Sequence, residues 1–335
     1  MGTLFTKFSR KGLLMITVLL VVFMTACGNN ANNNAVSGNS AAPSESASSE
    51  APSSEVTKLS GQVEIDGSST VFPIAEAVAE EFGKVQPDVK VAVGVSGTGG
   101  GFKRFCAAET AFSNASRPIK DEEAELCKTA GVEFTELKVS FDGLSVVVHK
   151  DNDFIDHLTV EELAKIFGTE GTAKLWSDIR AEWPAEKILV FSPGADSGTF
   201  DYLNEEILDK KGLRTDDAVS LSEDDNTLVQ GVSGSKFGIG YFGFAYYEEN
   251  ADKLKVIPID GGSGPITPSN DTIKDGSYAP LSRPLFVYLN NKEYDRPEVK
   301  EFATFMMANA PTLSAEVGYI PMPEATYAEE TAKLK

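Results

Sequence analysis

Short apolar runs alternate with amphipathic segments along most of the chain. Residues 63–66 alternate between apolar and polar positions, which predicts a strand. Over 72–84, apolar residues recur three and four positions apart, which predicts a helix. The alternation continues to an apolar run over 285–289 and an amphipathic segment over 297–309. Residues 143–149 are apolar at nearly every position, as in strands buried on both faces. The pattern therefore predicts an α/β fold with mostly parallel sheets.

The pattern also predicts where individual segments begin and end. Residues 132–137 and 143–149 are expected to form two separate strands. A helix is expected from residue 102 to residue 108, after a run of glycines, and residues 261–276 are expected to form a long polar loop.

Three turns rich in glycine, serine and threonine each follow a predicted strand and precede a predicted helix. They are GSST (residues 67–70, the first turn), GTGG (residues 97–100, the second turn) and DSGT (residues 196–199, the third turn). The first backbone N–H groups of a helix lack internal partners, and the helix dipole places about half a positive charge there. In open α/β sheets, ligands bind at the carboxyl ends of strands, where these turns lie. If the turns converge, they form a cradle for an anion.

Each turn also has an ordinary structural interpretation. Asp196 or Ser197 would cap the helix that follows the third turn. The three turns would then be three unrelated helix caps.

Charge and motifs exclude several classes of function. The formal net charge of −20 argues against a nucleic-acid partner, because the phosphate backbone would be repelled. The glycine-rich turns match neither the P-loop nor the dinucleotide-binding motif, and the third turn is not a hydrolase GxSxG elbow. The chain has 2 histidines, His149 and His157, which leaves a Ser-His-Asp triad few ways to form. No cofactor, metal or catalytic residue is expected, although an exported phosphoryl hydrolase with Ser197 or Thr70 as nucleophile remains an alternative.

The N-terminus has the features of an export signal. Lys7, Arg10 and Lys11 precede an apolar segment over residues 13–24 that is short for a membrane span. The sequence Met-Thr-Ala-Cys then ends at Cys27 and resembles a bacterial lipobox, in which this cysteine is lipidated. We expect a signal peptide over residues 1–26 and a disordered tether over 27–58, which is rich in Asn, Ser, Ala, Pro and Glu. An uncleaved single-span anchor is the alternative.

Two further cysteines, Cys106 and Cys127, are expected to form a disulfide in an exported protein. It would close a loop of about twenty residues and contribute roughly 3 kcal/mol in the chain-entropy model. A metal site or a nucleophile is the less supported alternative, since the chain has no CxxC motif and both histidines lie far away in sequence.

A series of segments resembles the substrate-binding protein of the high-affinity phosphate ABC importer, in the order found in that family. The segments are IDGSSTVFPIAEAVAEEF, GVSGTGGGFKRF, SNASRPI, DGLSVVVH, LTVEELAKIF, PGADSGTFDYL, GIGYFGFAYY and LSRPLFVYLN. The resemblance implies a type II periplasmic-binding-protein fold, with one lobe formed by residues 59–148 and 265–335 and the other by 149–264. It implies a monomer that is not an enzyme and that binds inorganic phosphate between the lobes. The protein would be lipid-anchored on the extracytoplasmic face of the cell membrane and would deliver phosphate to the permease subunits of the importer.

The resemblance also implies a set of ligand-binding residues. Carried over position by position, they are Ser69, Thr70 and Val71 at the first turn, Thr98 at the second, and Ser197, Gly198 and Thr199 at the third. Two positions depart from the family pattern: Arg117 stands where many relatives have Asp, and Pro193 stands where many have Arg. We therefore expect Arg117 to supply the guanidinium that binds the anion. A surface salt bridge from Arg117 to an acid such as Asp121 is the alternative.

The missing Asp bears on selectivity. Hydrogen phosphate carries a proton that needs an acceptor, whereas sulfate carries none, so a buried carboxylate distinguishes the two anions. Asp196 and Asp142 are candidate acceptors in this chain. A receptor for another oxyanion, such as sulfate or molybdate, is therefore the alternative within the binding class.

Overall fold

A computed structural model describes residues 58–334 except 172 and 196. The predicted signal peptide, the lipidation site Cys27 and nearly all of the tether lie outside the described residues, as does Asp196. Among the described residues, no helix is long and apolar enough to cross a membrane.

The described residues form a mixed α/β structure. The strands are β1 Gly61–Gly67, β2 Val89–Val93, β3 Phe112–Ala115, β4 Phe134–His149, β5 Leu158–Thr159, β6 Leu189–Pro193, β7 Val219–Ser222, β8 Gly238–Gly243, β9 Leu254–Val256, β10 Ile259–Asp260, β11 Pro265–Ile266 and β12 Ser282–Asn290. The helices are α1 Phe72–Val85, α2 Gly97–Cys106, α3 Asp121–Thr129, α4 Val160–Phe167, α5 Gly198–Glu206, α6 Asp225–Ser233, α7 Phe244–Glu249, α8 Asn270–Lys274, α9 Pro297–Glu316 and α10 Glu324–Thr331.

Nine strands form one sheet in the order β2-β1-β3-β12-β4-β8-β6-β7, with β9 also paired to β4. The outer strands are parallel, as the alternation of strands and helices predicts: β1 pairs with β2 and β3, and β6 pairs with β7 and β8. The centre is antiparallel, because β12 runs against both β3 and β4, and β4 runs against β8. The sheet is therefore parallel at its two sides and antiparallel where the sides join.

Strand β4 joins the two sides of the sheet. It is one strand of 16 residues, whereas the sequence pattern predicts two separate strands in this region. The intervening residues stay extended because β12 pairs with them up to Gly143, after which β8 takes over from Leu144. Each side of the sheet has its own apolar core, one containing Phe82, Phe112 and Phe302 and the other containing residues of α4, α5 and β6. The lobe boundaries at 148/149 and 264/265 stay predictions.

Helix α2 begins at Gly97, whereas the pattern predicts a start at Phe102. The glycine run has low intrinsic helix propensity, which is why sequence reasoning treats it as a loop. Tertiary packing overrides that propensity: a Cβ at Gly101 would lie 2.5 Å from the Cα of Gly67. Glycine at position 101 therefore lets α2 pack directly on the end of β1.

Three other elements differ from the sequence pattern. Helix α9 continues through Pro311 to Glu316, beyond the predicted end at 309. The predicted polar loop over 261–276 contains the short helix α8 and strand β11. Helix α10 was not predicted.

The predicted disulfide is present. It joins Cys106 at the end of α2 to Cys127 in α3, with the two Cα atoms 4.2 Å apart and 21 positions apart in sequence. Both sulfur-bearing residues are buried, so the bond ties the helix of the second turn to its neighbour.

Candidate anion-binding site

The first and third turns are in direct contact. A Cβ added at Gly198 would lie 2.5 Å from the Cα of Thr70, so the two backbones touch at van der Waals distance. The Thr70 hydroxyl donates to the Gly198 carbonyl at 3.2 Å, and the Ser69 hydroxyl donates to Asp201 at 2.5 Å. Two turns that are 128 positions apart in sequence therefore form one surface.

The second turn lies on the other side of the first turn. The N–H of Ser96 donates to the Gly67 carbonyl at 3.1 Å. The Thr98 hydroxyl lies 3.1 Å from the hydroxyl of Ser116, whose N–H also donates to Thr98 Oγ1 at 3.2 Å. Ser116 is buried at the end of β3 and was not among the predicted site residues. Its position directly before Arg117 in the quoted segment SNASRPI was the one signal for it.

The helix that follows each turn differs in how it is capped. Ser197 is the N-cap of α5, and its side chain accepts from the Thr199 N–H at 3.2 Å, as the structural interpretation of this turn allows. In the described part of the chain, no side chain caps α1, which follows Val71, or α2, which follows Ser96. At α1 the N–H of Phe72 donates to the Ser68 carbonyl and the N–H groups of Ile74 and Ala75 donate to the Val71 carbonyl, so the first N–H groups of α2 are the ones that keep capacity to bind an anion.

A cavity of about 450 Å³ opens beside the contact between the first and third turns. The predicted site residues in its lining are Ser69, Ser197, Gly198 and Thr199. Of the two carboxylates proposed as proton acceptors, Asp142 lies in this lining. Among the described residues that line it, the other predicted site residues are not included: Thr70, Val71, Thr98 and Arg117. The structure therefore gathers the first and third turns around one cavity and places the second turn next to them.

Val71 and Thr70 are fixed by buried contacts on the side of the sheet whose core contains Phe82, Phe112 and Phe302. The Val71 side chain is fully buried in that core, so Val71 can offer only its backbone to a ligand. The Thr70 carbonyl accepts from the hydroxyl of Tyr319 at 2.6 Å. Burial raises the pKa of Tyr319 above its ordinary value, which keeps this hydroxyl a donor.

Arg117 binds a carboxylate on its own side of the molecule. Its two terminal nitrogens donate to the two oxygens of Glu123, each at 2.8 Å, and one of them also donates to the Pro118 carbonyl at 3.1 Å. The acid is Glu123 rather than Asp121. Burial opposes ionisation of Glu123, but the hydrogen bonds from Arg117 hold its pKa below the ordinary value. Arg117 lies next to the second turn, with Nη2 3.8 Å from a Cβ built at Gly99, and its role toward a ligand stays a prediction.

A different arginine contacts the first turn. Arg283, on β12, donates from Nη2 to the Thr70 hydroxyl at 2.9 Å. Its Nε lies 3.4 Å from Asp142 on β4, and its guanidinium stacks on the ring of Tyr202 in α5, 3.5 Å from the ring centroid. The Arg283 and Asp142 side chains are 10% and 6% exposed, and burial raises the pKa of Asp142 even though Arg283 lowers it. Arg283 was absent from the predicted site.

Buried polar atoms without partners lie near the first turn. Asn114, at the end of β3, is fully buried, and neither polar atom of its side chain has a hydrogen-bond partner among the described residues. Its backbone carbonyl accepts from the Ser68 N–H at 3.0 Å. Buried polar groups are normally paired, so the Asn114 amide is a hydrogen-bonding group beside the first turn that is not engaged by the described residues.

The two histidines make contacts away from the turns. His149 Nδ1 accepts from the Asp151 N–H at 3.0 Å, and His157 lies against Asp156 and Arg180. Among the described contacts of Thr70 and Ser197, none involves a histidine. Neither histidine is therefore placed to act as the base for these two hydroxyls.

Comparison with known proteins gives consistent matches. Residues 52–310 match the PBP superfamily domain. The protein SphX of Synechococcus elongatus is 49% identical over 276 residues, which cover 82% of this chain and 81% of that protein. The phosphate-binding protein PstS of Staphylococcus saprophyticus is 43% identical over 279 residues, 83% of this chain and 85% of that protein.

A solved structure agrees with these matches. The crystal structure of a possible phosphate binding protein from Planctomyces limnophilus superposes with a TM-score of 0.79 at 44% identity, covering 83% of this chain and 98% of that chain. From these matches, the chain belongs to the PBP superfamily, in the PstS family of phosphate-binding proteins.

Proposed function

We propose that this chain binds inorganic phosphate at the contact between the first and third turns and delivers it to the permease subunits of an ABC importer. The family consists of transport binding proteins rather than enzymes, so binding and release, without turnover, are the expected activity. The residues proposed to contact phosphate are Ser69, Thr70, Val71, Thr98, Arg117, Ser197, Gly198 and Thr199.

The observation that carries the proposal is that the first turn contacts the third turn and also packs against the residues that flank the second. It contacts the third turn at Gly198, and Gly67 contacts Ser96 and Gly101 on either side of the second turn. Three helix N-termini that face one anion would supply about 1.5 units of positive partial charge. One guanidinium brings the total to about 2.5, which suits an anion with between one and two negative charges near neutral pH.

The net charge of the chain makes this local arrangement necessary. At −20, the overall field repels an anion, so binding depends on donors that act at contact distance. Backbone N–H groups and buried side chains meet that requirement, because solvent ions screen the distant carboxylates but not a buried contact.

We further propose that the protein works outside the cytoplasmic membrane, held there by a lipid on Cys27. The support is the charged, apolar and Cys-ending order of the first 27 residues and the polar tether that follows. Replacing Cys27 with Ala is expected to move the protein from the membrane fraction to the soluble extracytoplasmic fraction. Retention of Cys27→Ala in the membrane fraction would instead favour a membrane-spanning anchor.

Calorimetric titration of the protein with phosphate, sulfate and arsenate tests the ligand. We expect one phosphate per chain and weaker binding of sulfate. Binding of sulfate without phosphate would overturn the proposal in favour of another oxyanion receptor. A phosphate-ester turnover assay on the same sample is expected to give no product, and measurable turnover would revive the hydrolase.

A further inference from the structure

We propose that Arg283 is the positioning residue of this anion site: it fixes the first turn against helix α5 and neutralises the buried Asp142 carboxylate, which would otherwise repel the ligand. This inference rests on the proposed function, since it concerns how the same site accepts an anion. It adds a guanidinium on β12 to the one that the resemblance places at Arg117.

The contacts of Arg283 join the two sides of the site. Nη2 donates to the Thr70 hydroxyl at 2.9 Å, which in turn donates to the Gly198 carbonyl at 3.2 Å. Nη1 lies 3.7 Å from Glu205 on α5, and the guanidinium covers the ring of Tyr202 on the same helix. A single side chain therefore contacts the first turn and the helix that the third turn begins. Because a hydroxyl has one proton, accepting from Arg283 orients the Thr70 hydrogen toward Gly198.

Carboxylates surround the place where the anion would bind. Asp142 lines the cavity, Asp201 accepts from Ser69, and Glu205 follows on the next turn of α5. An unpaired buried carboxylate is costly by itself and also repels an anion through a medium of low dielectric constant. Glu223 and Asp225 also line the cavity. Arg283 contacts both Asp142 and Glu205, so its charge offsets two of these five groups.

The pairing of Arg283 leaves donor capacity unused. Its Nε is buried and has no hydrogen-bond partner among the described residues, and the 3.4 Å approach to Asp142 is an ion pair without a short hydrogen bond. Arg214 shows the contrasting, purely structural case. Arg214 is buried, its Nη2 lies 2.6 Å from Asp216 Oδ2, and it donates to the carbonyls of Ile166 and Ala173. Arg283 instead binds the first turn and a carboxylate that lines the cavity, so its charge acts on the place where the anion would bind.

The test is calorimetric titration of phosphate into the full protein carrying Arg283→Gln, with thermal unfolding measured on the same samples. We expect Arg283→Gln to bind phosphate about a hundredfold more weakly, because it leaves a buried carboxylate unpaired. Arg180→Gln is the matched control: Arg180 also pairs with an acid, Glu162 at 2.8 Å, and stacks on an aromatic ring, Trp183, but lies away from the turns. We expect Arg180→Gln to keep phosphate affinity within about threefold.

Removing the repelling carboxylate separates an electrostatic role from a structural one. The double variant Arg283→Gln with Asp142→Asn is expected to bind phosphate roughly tenfold more tightly than Arg283→Gln alone, since Asn carries no charge. Arg283→Lys, which keeps the charge but loses the planar fork, is expected to fall between wild type and Arg283→Gln.

Three results would overturn the inference. They are an Arg283→Gln affinity within about threefold of wild type, a double variant no better than Arg283→Gln, and an equal loss in Arg180→Gln. Failure of the proposed function is distinguishable, because it would appear as absence of phosphate binding by the wild-type protein.

Discussion

Arg117 and Arg283 both lie beside the turns, and each meets a carboxylate, but the two pairs are built differently. Arg117 is forked onto Glu123 through two bonds of 2.8 Å, with its side chain 32% exposed. Arg283 is 10% exposed, approaches Asp142 at 3.4 Å and donates to Thr70. In the closer pair, both terminal nitrogens of the guanidinium are engaged by one carboxylate. In the looser pair, the cation also contacts the first turn and a carboxylate that lines the cavity.

The largest loss of phosphate affinity is expected from separating the first and third turns at the contact between Gly198 and Thr70, the residue that Arg283 binds. A Cβ in Gly198→Ala would lie 2.5 Å from Thr70 Cα and 2.8 Å from Thr70 N, so the two turns must separate. We expect phosphate binding to weaken by about a hundredfold or more, since a displacement of about 1 Å costs a positioned site that much.

Gly83→Ala is the matched control for this prediction. A Cβ at Gly83 meets no atom within 4 Å, and alanine favours the helix by about 0.5–1 kcal/mol. Calorimetry should therefore find unchanged affinity in Gly83→Ala. An unchanged affinity in Gly198→Ala would mean that the turns need not touch when phosphate binds.

The disulfide tests the Arg117 side of the comparison. Replacing Cys106 and Cys127 with Ser is expected to lower the free energy of unfolding by about 3 kcal/mol, because the loop closed by the bond becomes free in the unfolded chain. Urea unfolding measures this loss. We expect phosphate affinity to change by less than about threefold, since the bond lies at the far end of α2 from the second turn. A larger loss of affinity would show that the α2–α3 side controls the site.

The pH dependence of stability should have opposite signs for the two acids. Burial raises the pKa of Asp142, so its contribution to stability is present at low pH and is lost as pH rises through its folded-state pKa. Burial also opposes ionisation of Glu123, but Arg117 holds the pKa of this carboxyl below its ordinary value. The contribution of Glu123 to stability is therefore present at neutral pH and is lost as pH falls.

Two variants measure these slopes. The stability of Asp142→Asn relative to wild type should rise with pH, and that of Glu123→Gln relative to wild type should fall with pH. Urea unfolding between about pH 3 and pH 8 covers both titrations. Slopes of the same sign would contradict the difference drawn between the two pairs.

Much of the fold could be predicted from the sequence. The turns that follow β1 and β6 can be predicted because glycine, serine and threonine separate an apolar strand pattern from an amphipathic helix pattern. The disulfide followed from export and the count of cysteines. The start of α2 could not be predicted, because helix propensity at Gly97 is low and the close packing of Gly101 on Gly67 is a tertiary contact that no local pattern shows.

The cation of the site could not be predicted for a related reason. Arg283 and Asp142 are 141 positions apart and meet through the antiparallel register of β12 with β4, which no local pattern encodes. Arg117 is the prediction from sequence because it stands where many relatives have Asp, while Pro193 stands where many have Arg. Its partner Glu123, six positions later, is one acid among several at the start of α3, so local charge could not identify the pair.

The most direct test of the account is a side-by-side calorimetric titration of phosphate into wild type, Arg283→Gln and Arg117→Gln. We expect a loss of about a hundredfold for Arg283→Gln and about tenfold for Arg117→Gln, because Arg283 contacts both the first turn and helix α5 and compensates the buried Asp142. A loss in Arg117→Gln equal to or greater than that in Arg283→Gln would contradict the account and return the anion's charge to Arg117.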